Sequence, residues 1–448
     1  MFQFNFKPLL FGKQQNSRLN KVFMELFQTL GAQVEQLWRD KNYDETVFPA
    51  IASDALEAAN LPRKVSAWEV VEWTLRQTIL PEQRDLAGSF GDPPITLYNS
   101  PRFHIDVYFW LEGTTSIHQH GFCGAFQVMH GSSLHSHYEF KPTHRVNVFT
   151  EIGAMNLKTV EYLTVGKIRK ILAGRQYIHG LFHLDQPSAT IVVRTHRSPL
   201  ALPQYNYHKP SLAIDPFFEE ANTTKKLQCL TALIRSQHPD TDRHIAEWLE
   251  EADFQTSFVI LSNVRGYLQG NQIDQMFNAG ATQNRFGTFL EIVNRRHGAL
   301  AEVLPKVFAH QSKVGEIVKR RGYVTDSEQR FFLALLMNVE GRERILSLIK
   351  ERFPDGDPIE KILDLTFDLA NTRVLGVNTP NALGIADFGN LDLFILENIL
   401  KGKSDEEMGA ALKTEYPAED LESLRQSLTE KTERIRQSII FEPLLQAA

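Results

Sequence analysis

Across residues 17–80 apolar side chains return every three to four positions, as at Val22, Leu26, Leu30, Val34 and Leu37, the spacing of one buried helix face. The rhythm changes at Gly88-Ser-Phe-Gly-Asp-Pro-Pro, and short runs of alternating apolar and polar residues follow it. That alternation predicts strands over 103–111, 115–120, 125–130, 134–141, 145–152, 158–165, 167–172, 177–183 and 189–195. So many short strands at even spacing predict an antiparallel barrel or sandwich, since a parallel sheet would need a helix between each pair. From residue 224 onward helix formers dominate, and amphipathic helices are expected over 242–251, 286–308, 327–351 and 420–440. The expected fold class is therefore α+β and multidomain. A helical segment over 1–87 packs on a β-barrel over 88–223, and an all-α domain over 224–448 follows. No fixed repeat period runs through that last part.

Composition changes this picture little. A chain of 448 residues is long for one core, and 42% hydrophobic with 23% charged residues is ordinary globular stock. The net charge of −6 gives no general electrostatic reason to expect nucleic acid or an anionic membrane as partner. Cys123 and Cys229 are the only cysteines, too few for a disulfide framework or a cysteine-based zinc site, and a reducing cytoplasm is the expected location. The N-terminus lacks the charged and apolar regions of a signal peptide, and no apolar run approaches the ~20 residues of a membrane span.

Histidine carries the candidate chemistry. In Ile117-His118-Gln119-His120 two rings stand two apart on an expected strand, so both point to one face and reach one ion. The pair alone is a weak signal. With 15 histidines in 448 residues, chance supplies about 0.5 such pairs, and His135-Ser136-His137 is a second one, expected to be exposed. The order around the first pair says more. Gly113 precedes it, Gly131 closes the next hairpin, and Gly180-Leu-Phe-His183 comes later on a strand that a barrel returns to its side.

This order resembles the two bipartite motifs of the cupin superfamily, which implies a cupin-type barrel with His118, His120 and His183 as metal ligands. His179 shares a strand face with His183 and is the alternative third ligand. The glutamate that often joins such sites falls at Gly124, counting back from Gly131, and is absent. Three neutral imidazoles suit iron, zinc, nickel or copper and leave positions open for substrate. Within the superfamily, loss of that glutamate resembles cysteine dioxygenase and its thiol dioxygenase relatives. The run Phe103-His-Ile-Asp-Val-Tyr-Phe-Trp-Leu-Glu-Gly-Thr-Thr-Ser-Ile-His-Gln-His is similar to their metal-strand segment, and His183 to Pro199 to their last strand. The resemblance implies Fe(II), a small substrate such as a thiol, dioxygen, and an arginine on the substrate carboxylate, for which Arg102 is the candidate. His196 is the candidate for orienting substrate or dioxygen. Cys123 stands one place before the position of the family's crosslinking cysteine, and is expected to be a small buried side chain. The expected function is an iron-dependent oxygenase. The alternative is a non-catalytic metal- or ligand-sensing cupin whose helical part contacts a protein partner or a second copy.

Overall fold

A computed structural model describes residues 13–86, 90–111, 115–217, 220–270, 272–374, 381–415, 421–438 and 440–445. Gly88, Gly113 and Asp420, used above, lie outside them. N-terminal helices come first, then a β-barrel region, then a large helical part. The helices α1 (Lys13–Arg39), α2 (Phe48–Ala59) and α3 (Ala67–Arg76) precede the strands. The strands are β1 (Pro94–Asn99), β2 (Phe103–Trp110), β3 (Ile117–His120), β4 (Gly124–His130), β5 (Ser133–Asn147), β6 (Thr150–Leu163), β7 (Ile168–Ile171), β8 (Gly174–His183), β9 (Ser188–Thr195), β10 (Asn206–His208) and β11 (Leu212–Ile214).

One sheet has the order β1-β2-β9-β4-β7, and the others close a six-stranded barrel in the order β10-β11-β6-β5-β8-β3. The pairs between strands are antiparallel. Every residue of β2 is buried, which a sheet allows only when both its faces are covered. Phe103, Ile105, Val107 and Phe109 join Phe27, Leu30, Trp38, Phe48 and Leu56 of α1 and α2 in one core. The alternate residues turn the other way, where Tyr108 and Trp110 pack with Phe126, Leu181 and Val192.

Several boundaries differ from the sequence reading. The predicted strands 134–141, 145–152 and 158–165 are two long strands, β5 and β6, joined at Val148 and Phe149. Pro142 looked like an interruption, but the ladder passes it at a register shift between Pro142 and His144, a place where the missing amide is tolerated. The predicted helix 327–351 is two, Ser327–Asn338 and Arg342–Arg352, because Gly341 between them has φ 94°. The predicted helix 286–308 likewise breaks at Gly298, φ 55°, into Gln272–His297, a short 3₁₀ turn and Leu304–Tyr323. Strands β1, β10 and β11 were not foreseen, being short or rich in polar residues.

The helical part shares a core with the barrel. Leu134 of β5, and Phe182 and Leu184 at the end of β8, are buried among Phe331, Phe332, Leu335 and Ile349. The buried Arg330 closes that seam by donating to the Leu184 carbonyl at 3.4 Å and to Gln186 Oε1 at 2.8 Å. Among the described residues no helix is long and apolar enough to cross a membrane.

Candidate metal centre

Strand geometry builds the site. On β3 the period of two sends His118 and His120 to one face, and the register sets His179 of β8 directly opposite His118. The ring centroids lie 4.6 Å apart for His118 and His120, 4.7 Å for His118 and His179, and 4.9 Å for His120 and His179. One nitrogen of each ring lies within 4.8 Å of the other two, and all three residues are buried.

The hydrogen bonds fit a metal. His118 Nδ1 is 2.7 Å from the Ser116 carbonyl, which can only accept, so Nδ1 carries the proton and Nε2 the lone pair. That Nε2 is buried and has no hydrogen-bond partner. A buried polar atom without a partner costs about 1–3 kcal/mol, so a metal ion would offset a penalty the fold otherwise carries. His120 Nε2 and His179 Nε2 face one another at 2.8 Å. Burial pulls the pKa of all three rings down, furthest for His120 and His179, which leaves the neutral form that ligates metals.

The sequence reading put His183 in this group. The structure brings His118 and His120 together with His179 instead. His179 and His183 share a face of β8, but four residues of strand span roughly 13 Å, and only one of them falls level with His118. His183 hydrogen-bonds through Nδ1 to Ser133 Oγ at 2.9 Å and Ser188 Oγ at 2.7 Å, with its ring stacked on Trp110 at 4.7 Å. Gly124, where a cupin glutamate would stand, has no space for any side chain. A Cβ there would lie 2.1 Å from the Val193 carbonyl oxygen.

The trio faces a cavity with apolar walls and a volume of about 40 Å³, lined also by Trp110, Phe122 and Leu181. At ~10–15 Å³ for each water-sized centre, that is space for about three small groups. Among the described residues, Arg194 is the one cationic side chain on the wall. Its guanidinium lies 3.3 Å from the centre of the Phe122 ring, and its Nε is buried without a partner. Arg102 is elsewhere, exposed and stacked over Tyr43 at 4.0 Å. Sequence reasoning missed Arg194, although period-two counting along β9 places Thr190, Val192 and Arg194 on one face.

His196 does not line the cavity. Its ring is stacked on His104 with the two Nδ1 atoms 3.2 Å apart, while Nε2 lies 2.9 Å from the Ser100 carbonyl and 3.0 Å from Arg84. Behind it, His104 Nε2 meets Asp106 Oδ2 at 3.1 Å, and Tyr108 Oη donates to the same oxygen at 2.9 Å. Tyr108 lines the cavity, so a hydrogen-bonded column runs from its wall to His196. Cys123 is buried, as expected; burial pushes its thiol up to about 11.

His135 and His137, expected on the surface, are respectively fully and partly buried, and form a second group with Glu161. Arg169 already supplies Glu161 with a positive charge, donating from Nε at 2.7 Å and through a second, shorter bond. A closed antiparallel barrel with a buried three-histidine group is compatible with a cupin-like fold. No family model matches this chain, and no curated protein is recognisably similar to it.

Proposed function

We propose that this chain is an iron-dependent oxygenase of the cysteine or thiol dioxygenase-like cupin type, acting on a small anionic substrate at His118, His120 and His179. The observation that carries the reading is the buried, uncharged trio on the wall of a small apolar cavity that Arg194 also lines. Ferrous iron held there would supply the one-electron chemistry that couples dioxygen to a substrate. Arg194 would hold the carboxylate by charge-assisted hydrogen bonds, strengthened by the low-dielectric wall around it. Phe122 keeps the guanidinium in place, and the apolar walls exclude water from both reactants. Tyr108 holds a hydroxyl proton at the cavity wall, and Asp106 and His104 link it to the partly exposed His196.

Metal analysis of the native chain beside His118→Ala, His179→Ala and His183→Ala tests the centre. The first two variants lose the metal and the third keeps it; retention by His179→Ala with loss by His183→Ala refutes the assignment. An oxygen electrode with cysteine and other small thiols tests the reaction. A second reading, a sensor that passes occupancy to the helical part, draws on one observation: β8 carries His179 and ends inside the helical core. Bound iron with no oxygen uptake for any thiol rules out a thiol dioxygenase and leaves the sensor beside a metalloenzyme for another small molecule.

A further inference from the structure

We propose that His135 and Glu161 are positioning residues for His179: along one face of the barrel sheet they fix the proton on its Nδ1, and so reserve its Nε2 for a metal. The inference rests on reading the buried trio as a metal centre, and deepens it by naming what aims the third ligand.

Glu161 of β6 stands opposite His135 of β5, and Arg169 grips its carboxylate. Although burial pushes its pKa up, hydrogen bonds from Arg169 and His135 hold the Glu161 carboxyl down to about 2. An ionised carboxylate only accepts, so His135 Nδ1, 3.0 Å from Glu161 Oε1, is the donor there. His135 has no exposed surface, and its one carboxylate partner is already shared with Arg169, so the ring is neutral and its Nε2 accepts. Two donors converge on that Nε2, the Tyr177 hydroxyl at 3.3 Å and His179 Nδ1 at 2.9 Å. With the proton on Nδ1, His179 has its lone pair on Nε2, which faces His120. Each link leaves one choice, and the last points the lone pair into the trio.

These tautomers exclude a second ion among His135, His137 and Glu161. A metal on His135 Nδ1 would need the lone pair there and put the proton on Nε2. His179 Nδ1 would then accept, and its Nε2 would carry a proton and cease to be a ligand. The outer group and the inner trio cannot both hold an ion, and Arg169 already neutralises the outer one.

The test measures cobalt(II) affinity of the full chain by chelator competition, with the visible absorption of bound cobalt as the signature of its ligand set. His135→Leu and Glu161→Ala weaken binding about 10–100-fold, the usual effect of removing an outer partner of a metal-bound histidine. His135→Gln restores it, because its amide oxygen accepts from His179 while its NH₂ donates to Glu161. Wild type binds one cobalt per chain. Equal losses in His135→Leu and His135→Gln overturn the proposal, as does unchanged affinity in His135→Leu, or a second cobalt that Glu161→Ala abolishes. His118→Ala separates the two levels. Loss of cobalt there with none in His135→Leu sinks the positioning role alone, and no loss there sinks the metal centre with it.

Discussion

Gly124→Ala gives a demanding test of the site's shape. The added Cβ would lie 2.1 Å from the Val193 carbonyl oxygen and 2.8 Å from the Arg194 Cα, where real Cβ atoms essentially never come closer than 3.0 Å. Both obstacles are backbone, so no side-chain rotation relieves them. Nor is there slack on the other side, since Gly124 is paired with Arg194 of β9 and with Ile171 of β7. The strands must part by most of an ångström, which combines an overpacking cost of ~1–3 kcal/mol with the loss of one or two ladder hydrogen bonds at ~1 kcal/mol each, about 2–5 kcal/mol in all. Urea denaturation of the metal-free chain, followed by fluorescence, reads this as a lower midpoint at unchanged slope. A loss under about 0.5 kcal/mol, the range of an inconsequential surface change, would show the close approach to be wrong. By the same argument Gly124→Glu does not add a fourth ligand, and cobalt affinity does not rise.

Three further outcomes follow from the geometry. Arg194→Leu raises KM for a carboxylate-bearing thiol by about 10–100-fold, in line with ~1.5–3 kcal/mol for a charge-assisted contact, and leaves a thiol lacking the carboxylate unaffected; equal effects on both refute the anchoring role. Metal-free protein loses stability as the pH falls below about 6.5, because rings kept neutral by the fold must take up protons that the unfolded chain binds readily, each at ~1.4 kcal/mol per pH unit. Burial holds His137 down to about 4 and His120 and His179 well below 6.5, so their contribution is complete above the unfolded value and is lost toward acid, with Glu161 adding a loss from about 4.5 to about 2. A flat urea midpoint between pH 7.5 and 5 contradicts this. Removing everything after Thr223 strips Leu134, Phe182 and Leu184 of their cover, and the barrel alone gives no cooperative unfolding transition; a sharp transition at the full-length midpoint rules out the shared core.

Much of the centre was legible because a strand's period is short and strict. His118 and His120 needed only to lie on a strand to share a face, and the same counting along β9 offered Arg194. What counting cannot supply is register between strands distant in sequence. His179 and His183 satisfy the period equally, and only the pairing of β8 with β3 picks the first. Arg102 came from the family resemblance, yet just before β2 its side chain is exposed and stacks over Tyr43. The three-part order of helices, barrel and helices followed from periodicity. The continuity of β5 past Pro142 did not, because it depends on a partner strand tolerating a bulge.

The register that sets His118 against His179, and His179 against His137, ties the trio to the alignment of strands far apart in the chain. Sliding β8 by a single residue would turn His179 out of the barrel and bring a neighbour, Ile178 or Gly180, inward. A barrel slipped in this way would bring two imidazoles together where the native register brings three, and an ion that needs all three would not be held. An ion bound by all three rings would therefore stabilise the correctly aligned strands and no slipped pairing.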